Sequence, residues 1–387
     1  MSKNAVIGID IGTDSIKVVA LEPSGDGGIK VLGAASRASE GIRKGVIMDY
    51  EAVARSLKEI LENLEKITGL NSAAMFVGIG GTGLTFQKSK GLVAISRADG
   101  QISKEDVKRA VATSETNLSR AQNREILHQI PISYKIDNET LTHDPIGLSG
   151  IKLEAETLFI SIFSQNFKSL IKTLDEADLD IENIVAGPFA LSQSVLTRRE
   201  REFGAMIIDI GSATTSIMLF EENHPYSLEV LPIGSGHITN DIAVGFQITL
   251  EEAEKIKINY RDDLVYGHYS KKKLSMIIDA RLGDIFELIE KHLKKVERVG
   301  LLPAGVVITG GGSNLPGIDE YAKDYLKLPA RIAEPVSLGG FQDKIKNNIW
   351  SGAIGVALMA LEEKNGQSAL FRSTSGPFFR WLRAFLP

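Results

Sequence analysis

The 387-residue sequence contains no cysteine, which excludes disulfides and thiolate metal sites. Its six histidines are scattered, and no two stand at the spacing of a helical metal-binding pair. No apolar run approaches the roughly 20 residues that a membrane-spanning helix requires. An excess of basic residues is also missing. The 44 lysines and arginines against 49 aspartates and glutamates leave a net charge of −5, and nothing in that balance calls for nucleic acid as a partner. No charged-then-apolar leader precedes the first strand, so the expectation is a soluble, cytoplasmic body. What is present is ordinary for a globular protein, 43% hydrophobic and 24% charged. The length suffices for two domains.

Two stretches carry the chemistry. IGIDIGTDSIKVV (Ile7 to Val19) and MIIDIGSATTSIMLF (Met206 to Phe220) each run apolar and β-branched into Asp-Ile-Gly, then a small polar cluster, then a second apolar run. That pattern predicts a β-hairpin. Asp10 and Asp209 stand at equivalent points, 209 − 10 = 199 positions apart, so two like half-molecules face one ligand. Gly12 and Gly211 allow a tight turn whose N–H groups meet an anion. A carboxylate repels a phosphate, so Asp10 and Asp209 are expected instead to hold a hydrated Mg²⁺ that bridges to phosphate oxygens. One such turn is a common structural hairpin; two at matching places favour a phosphate clamp. A third stretch, VVITGGGSNLPGI (Val306 to Ile318), is a buried-type strand followed by Gly310, Gly311, Gly312 and Ser313, with Pro316 opening a helix. Its glycines let a flat ring lie against backbone near a helix start.

In this order the three stretches resemble the first phosphate, second phosphate and adenosine motifs of the actin-like ATPase superfamily. The resemblance implies an α/β, ribonuclease H-like, two-lobed fold that binds ATP and Mg²⁺. Phosphate contacts then fall on Gly12, Thr13, Asp14, Ser15 and Lys17, on Gly211, Ser212, Ala213 and Thr214, and on Gly234 of a later glycine turn. Adenosine contacts fall on Gly310, Gly311, Gly312 and Ser313, and on Glu254 and Lys257, which share a helix face at i, i+3. Asp10 and Asp209 set the metal through water.

The rest of the chain sorts into elements. Ile29 to Ala35 reads as a strand and Tyr50 to Gly69 as a helix, with Val53, Leu57, Ile60, Leu61 and Leu64 at three- and four-residue intervals. Gly69 is its stop, and Ala74 to Gly80 returns to strand. Leu84 to Ile162 reads as an inserted domain. It holds a helix from Ile102 to Asn117, with a capping box of Ser103 and Asp106, and strands over Glu125 to Ile136 and Glu156 to Phe163. ILHQIPISYKID and HDPIGLSGIKLEAETLFIS within it are very similar to the inserted subdomain, 1C, of the bacterial cell-division FtsA family. Asn166 to Asp178 is predicted helical. Ile184 to Arg198 resembles the first connecting helix between the lobes. MreB and the DnaK-type chaperones carry an acid there that positions the attacking water; this chain has Gly187, which implies poor hydrolysis. Where the FtsA family has two glycines after the second Asp-Ile-Gly, this chain has Ser212 and Ala213, which weakens γ-phosphate contact relative to β-phosphate.

Leu231 to Tyr260 is expected to form a glycine turn and two helices, the second opened by a capping box of Thr249 and Glu252. Leu274 to Lys295 is a long amphipathic helix. Its Arg281 matches a family arginine beside the surface that receives the C-terminal peptide of the tubulin-like protein FtsZ, although the adjoining loop is shortened. Ile349 to Leu361 resembles the second connecting helix. Glu362 to Pro377 is polar and reads as a linker. In the last stretch Phe378, Trp381, Leu382, Phe385 and Leu386 fall on one helical face, with Arg380 and Arg383 opposite. That describes a helix lying in the interface of an anionic membrane, each basic residue contributing about 1 kcal/mol.

The expected division is subdomain 1A over residues 1–83, 163–197 and 350–363, and 1C over 84–162. Subdomain 2A takes 198–229 and 301–349, 2B takes 230–300, the linker 364–377 and the membrane-targeting helix 378–387. The resemblance implies an ATP-binding filament former at the cytoplasmic face of the cell membrane, peripheral and at the division site. There it tethers FtsZ filaments to anionic lipids and recruits later divisome proteins, with weak or absent ATPase activity. The near rival is a PilM-like adaptor of type IV pilus assembly, which lacks the amphipathic tail. A sugar kinase on this fold needs a catalytic carboxylate in a sugar pocket, and none is evident. A DnaK-type chaperone needs a substrate domain, for which the 24 residues after Glu363 are too few.

Overall fold

The structure is a computed structural model that describes residues 4–365 except 26, 71, 119–122, 260–268, 335, 337 and 341–344. The expected linker beyond Asn365 and the expected membrane helix, Phe378 to Leu386, lie outside the described residues. The described residues divide into two units, one of residues 4–83 and 168–361 and the other built on residues 84–167.

The first unit opens on an antiparallel meander of β1 (Val6–Ile11), β2 (Ser15–Pro23) and β3 (Ile29–Ala38). A small hairpin of β4 (Ile42–Arg43) and β5 (Val46–Ile47) follows. Helix α1 (Tyr50–Thr68) starts where the Asp49 side chain accepts from the N–H of Ala52, and stops at Gly69 in the left-handed region, a conformation glycine adopts without a Cβ penalty. Strand β6 (Ala74–Ile79) then lies parallel beside β1.

The second unit is a sheet with one helix upon it. Strand β7 (Thr85–Ala94) is followed by α2 (Lys104–Thr116), β8 (Arg124–Ile136), β9 (Thr140–Thr142) and β10 (Lys152–Phe163), in the sheet order β7-β10-β8-β9. The capping box forms, with Ser103 and Asp106 each satisfying the other's backbone N–H. Burial alone would raise the Asp106 carboxyl, but hydrogen bonds from Ser103, Arg109 and Ser96 outweigh it and hold the group well below the usual carboxylate range. Ile102, Ala110, Tyr134, Ile136, Leu153 and Ala155 form this unit's own small core.

Helix α3 (Ser164–Glu176) leads back to β11 (Asn183–Ala186) and α4 (Gly187–Val195). The helix expected over Ile184 to Arg198 is therefore shorter. Its first residues, all buried, pair in parallel with β6, and Pro188, with its preset φ, opens the helix proper. After α5 (Arg198–Phe203) the meander recurs as β12 (Ala205–Ile210), β13 (Thr215–Glu221) and β14 (His224–Leu231). Helices α6 (Ser235–Phe246), α7 (Leu250–Ile258) and α8 (Lys271–Lys295) follow. Thr249 accepts from the N–H of Glu252, but only half of the expected capping box forms. The Glu252 carboxylate instead accepts from the Tyr269 hydroxyl at 2.5 Å. Strand β15 (Gly305–Thr309) pairs in parallel with β12, and α9 (Ile318–Leu326) and β16 (Ala330–Ile332) complete that half. Strand β17 (Gly339–Gly340) and α10 (Ser351–Lys364) return to the first half. Since α10 continues through Lys364, Glu362 to Lys364 belong to its last turn and not to the linker.

The two sheets are built alike. One runs β3-β2-β1-β6-β11 with β17 beyond β3; the other runs β14-β13-β12-β15-β16. Each is a three-stranded meander whose first strand takes a parallel neighbour. Helices α4 and α10 meet at Gly355, where a Cβ would stand 2.4 Å from the Ala190 carbonyl oxygen. The Ser194 hydroxyl donates to the Ser351 carbonyl at 2.7 Å. Under α6, α7 and α8 a core of Ile238, Ile242, Ile256, Ile278, Leu282 and Phe286 packs on β12, β13 and β15.

Candidate functional site

The repeat in the sequence becomes a repeat in register. Asp10 stands opposite Lys17 across the β1–β2 hairpin, and Asp209 stands opposite Ser216 across β12–β13. Each hairpin closes on one bond, Gly12 N–H to Ser15 O at 3.2 Å and Gly211 N–H to Thr214 O at 2.9 Å. The turn carbonyls are tied back from outside. The Ser39 hydroxyl donates to Gly12 O at 2.7 Å. Gly211 O and Ser212 O accept from Ser235 N and Gly236 N, both at 2.8 Å. In the first turn the Thr13 hydroxyl accepts from Gly45 N at 2.9 Å. Both turns are thus held open-face toward a cleft of about 740 Å³ within the first unit.

Lining that cleft are Asp10, Gly12, Thr13, Asp14, Ser15 and Lys17 from the first hairpin, and Asp209, Gly211, Ser212 and Thr214 from the second. Glu254, Lys257, Gly310, Gly311 and Gly312 line it too. Of the other residues expected there, Ala213, Gly234 and Ser313 are not among its lining. Gly234 lies against the carbonyls of Gly211 and Ser212, where a Cβ would come to 2.5 and 2.8 Å. Ser313 is buried, donating to Gly310 O at 2.7 Å and accepting from Asn348 Nδ2 at 3.1 Å. Arg281 lies elsewhere, on α8, with Nε 2.6 Å from Asp241 of α6 and Nη1 3.0 Å from Asp284.

The floor of the cleft concentrates negative charge. Burial raises the Asp10 carboxyl, and Lys17 partly offsets that. Asp209 is pushed up to about 7, first by burial and then by the charge of Asp10, against the pull of Lys17. Backbone presses on both. A Cβ at Gly352 would stand 2.8 Å from Asp10 Oδ2, and one at Gly310 would stand 2.3 Å from Asp209 Oδ1. Gly352 is the second residue of α10, so Asp10 meets a helix N-terminus, which favours negative charge. Lys17 is buried and donates to the Ser15 hydroxyl at 2.6 Å. Elsewhere in the lining, buried Lys257 reaches Glu254 Oε2 at 2.7 Å and Thr239 Oγ1 at 2.9 Å, and Thr239 donates to the same carboxylate oxygen at 2.5 Å.

This donor set suits a hydrated divalent ion carried by an anionic ligand. Among the described residues no three His, Asp or Glu side chains converge to hold a metal by themselves. Asp10 and Asp209 supply two anionic anchors, and water and phosphate oxygens complete such an ion's shell.

Asn314, Asn347, Asn348, Ile349 and Gly352 also line the cleft without having been expected there. Thr239, behind the lining, joins Glu254 to Lys257. The pair Asn347–Asn348 just before an apolar helix was the signal available, a polar step where the pattern turns buried.

A family model described as Cell division protein FtsA matches residues 206–355, and one described as SHS2 domain inserted in FTSA matches residues 81–161. The Cell division protein FtsA of Borreliella burgdorferi is 31% identical, covering 94% of this chain and 92% of its own length. Among solved structures, the PilM-PilN type IV pilus biogenesis complex aligns with a TM-score of 0.70 at 18% identity, over 92% of this chain and 98% of the other. MreB5 of Spiroplasma citri bound to ADP gives a TM-score of 0.58 at 15% identity, over 95% and 99%. The MamK double helical filament gives 0.53 at 14% identity, over 92% and 98%. These structural likenesses establish an actin-like α/β fold.

Proposed function

The chain belongs to the FtsA family of cell-division proteins, and from that premise we propose that it is an ATP-binding, self-polymerising tether between FtsZ filaments and the cytoplasmic membrane. The observation that carries the nucleotide half of this reading is the convergence of Asp10 and Asp209, each at the end of a like hairpin, on one cleft with the Gly310–Gly312 loop. In that cleft the two hairpin turns bind the phosphates, and Lys17 neutralises their charge from the floor. Asp10 and Asp209 hold Mg²⁺ through water, and Glu254 and Lys257 meet the ribose side. When bound, the ion screens the phosphate charge that the two carboxylates would otherwise repel. No acid stands at Gly187, at the start of α4 in the cleft wall, so the nucleotide is held and turned over slowly.

The membrane half rests on the sequence of the tail, where five large apolar residues share one face and arginines the other. One short helix anchors weakly; a polymer presents many copies, and the combined attachment is stable. Arg281 and the α6–α8 surface around it receive the FtsZ C-terminal peptide, and further surfaces recruit later divisome proteins at the division site.

Co-sedimentation of the full chain with anionic liposomes tests this reading, with ATP and with ADP, beside Trp381→Glu. Nucleotide-dependent pelleting that the variant loses is the expected result. A chain that pellets in neither nucleotide is no tether and fits a soluble adaptor of PilM type instead.

A further inference from the structure

The loop after β15 leaves the carboxylate floor at Gly310, beside Asp209, and climbs as a 3₁₀ turn to Asn314 at the exposed rim. At roughly 2 Å per residue this climb covers about 8 Å, the scale that separates a nucleotide's phosphates from its base. Asn314 and Asn347 both line the cleft there.

Their amides are fixed by what they already bind. Asn347 Oδ1 accepts from the backbone N–H of Ile349 at 3.1 Å and from Asn314 Nδ2 at 3.2 Å. Asn314 Nδ2 also donates to the Gly311 carbonyl at 3.2 Å. Exchanging N and O in the Asn347 amide would set donor against donor, and in the Asn314 amide acceptor against acceptor. The free ends are therefore one donor, Asn347 Nδ2, and one acceptor, Asn314 Oδ1, and neither has a partner among the described residues. The wall behind them is braced by Asn348, which holds Ser313, which in turn holds Gly310.

Resting on the nucleotide reading above, we propose that the Asn314–Asn347 pair selects a 6-aminopurine. Asn314 Oδ1 accepts from the exocyclic amine, and Asn347 Nδ2 donates to the neighbouring ring nitrogen. Adenine offers such a donor beside an acceptor, the match that amide side chains make with it elsewhere. In the same pose a 6-oxopurine sets its carbonyl oxygen against Asn314 Oδ1, two acceptors facing each other.

The test uses the full chain with Mg²⁺ and measures displacement of a fluorescent ATP analogue by ATP and by inosine triphosphate, which differs in carrying an oxo group at position 6. The wild type is expected to prefer ATP by roughly ten- to a hundredfold. Asn347→Asp keeps both hydrogen bonds that Oδ1 accepts but turns the free donor into an acceptor; Asn314→Ala deletes the acceptor. In both variants the ratio of the two affinities falls to within about threefold, with thermal melting confirming a folded chain. An added charge alone would weaken both nucleotides equally, so the ratio isolates base reading. A wild type without preference, or variants that keep the wild-type ratio, overturns the assignment while leaving nucleotide binding intact. If ATP does not bind the wild type at all, the nucleotide reading falls, and this inference with it.

Discussion

Replacing Asp209 with Asn probes the charge stored on the floor of the cleft. Burial and the neighbouring Asp10 raise the Asp209 carboxyl from its ordinary value of 3.8 to about 7. Between those two values the folded chain binds a proton that the unfolded chain has released. The ligand-free fold is therefore most stable on the acid side, loses stability as pH rises through that window, and stays weakened above it. At 1.36 kcal/mol per pH unit the gap amounts to about 4 kcal/mol. The charge of Asp10 couples its titration to that of Asp209 and solvent in the cleft screens both, so about 2 kcal/mol is expected from this one side chain. For a chain of this size that corresponds to roughly 2–3 °C in melting temperature. Thermal melting of the nucleotide-free protein should show Asp209→Asn about 2–3 °C above wild type at pH 8, with the gap narrower at pH 5 and closed only below about pH 4. With Mg²⁺ and ATP the order reverses, because only the wild type gains stability from the bound ligand. An offset that is the same at both pH values, or a nucleotide-free variant less stable than wild type at pH 8, would refute the argument that the two carboxylates strain the empty cleft.

Other substitutions test separate parts of the site. Gly310 has φ of 80°, and a Cβ there would meet Asp209 Oδ1 at 2.3 Å and Ile210 O at 2.7 Å. Gly310→Ala should cost on the order of 1–3 kcal/mol in urea unfolding and abolish nucleotide binding; retention of both would show that the loop can move aside. At Gly187 the nearest neighbour to an added Cβ is Ile79 O at 3.4 Å, so a side chain fits. Gly187→Asp is expected to raise phosphate release from saturating Mg-ATP by about tenfold or more, and an unchanged rate would mean that this position does not limit hydrolysis. Arg281 already pairs with Asp241 and Asp284 on a half-exposed surface, so Arg281→Ala should lower stability by no more than about 1 kcal/mol. Titration with an FtsZ C-terminal peptide should show affinity reduced less than about tenfold; no change would remove Arg281 from that surface.

The elements most legible in the sequence were those specified by local physics. Asp10 and Asp209 could be paired in advance because β-branched runs on either side of Asp-Ile-Gly leave a hairpin as the simplest local solution. Ser103 with Asp106 and Gly69 likewise marked helix ends that local hydrogen bonding fixes. The misplaced boundaries have a tertiary origin. Ile184 to Ala186 reads as the start of an apolar helix until β6 offers a parallel edge to pair with. Glu252 has the right spacing for a capping box, yet the Tyr269 hydroxyl, brought in from the start of α8, takes its carboxylate.

The sequence by itself determined that two half-molecules repeat, that each ends a hairpin in a carboxylate beside a glycine turn, and that a glycine loop follows in the second half. Those features are set by neighbours a few residues apart, where pattern and backbone sterics decide. Only the tertiary structure decided which groups share the cleft. It set Lys17 where its charge acts on both Asp10 and Asp209, and left Ser216 in the matching place of the other half. It turned Ser313 inward as a brace and put Asn314 against Asn347, 33 positions away. These choices follow from how β15 lies against β12 and how α10 packs across α4, and distances of that kind are fixed by packing between segments that no local pattern connects.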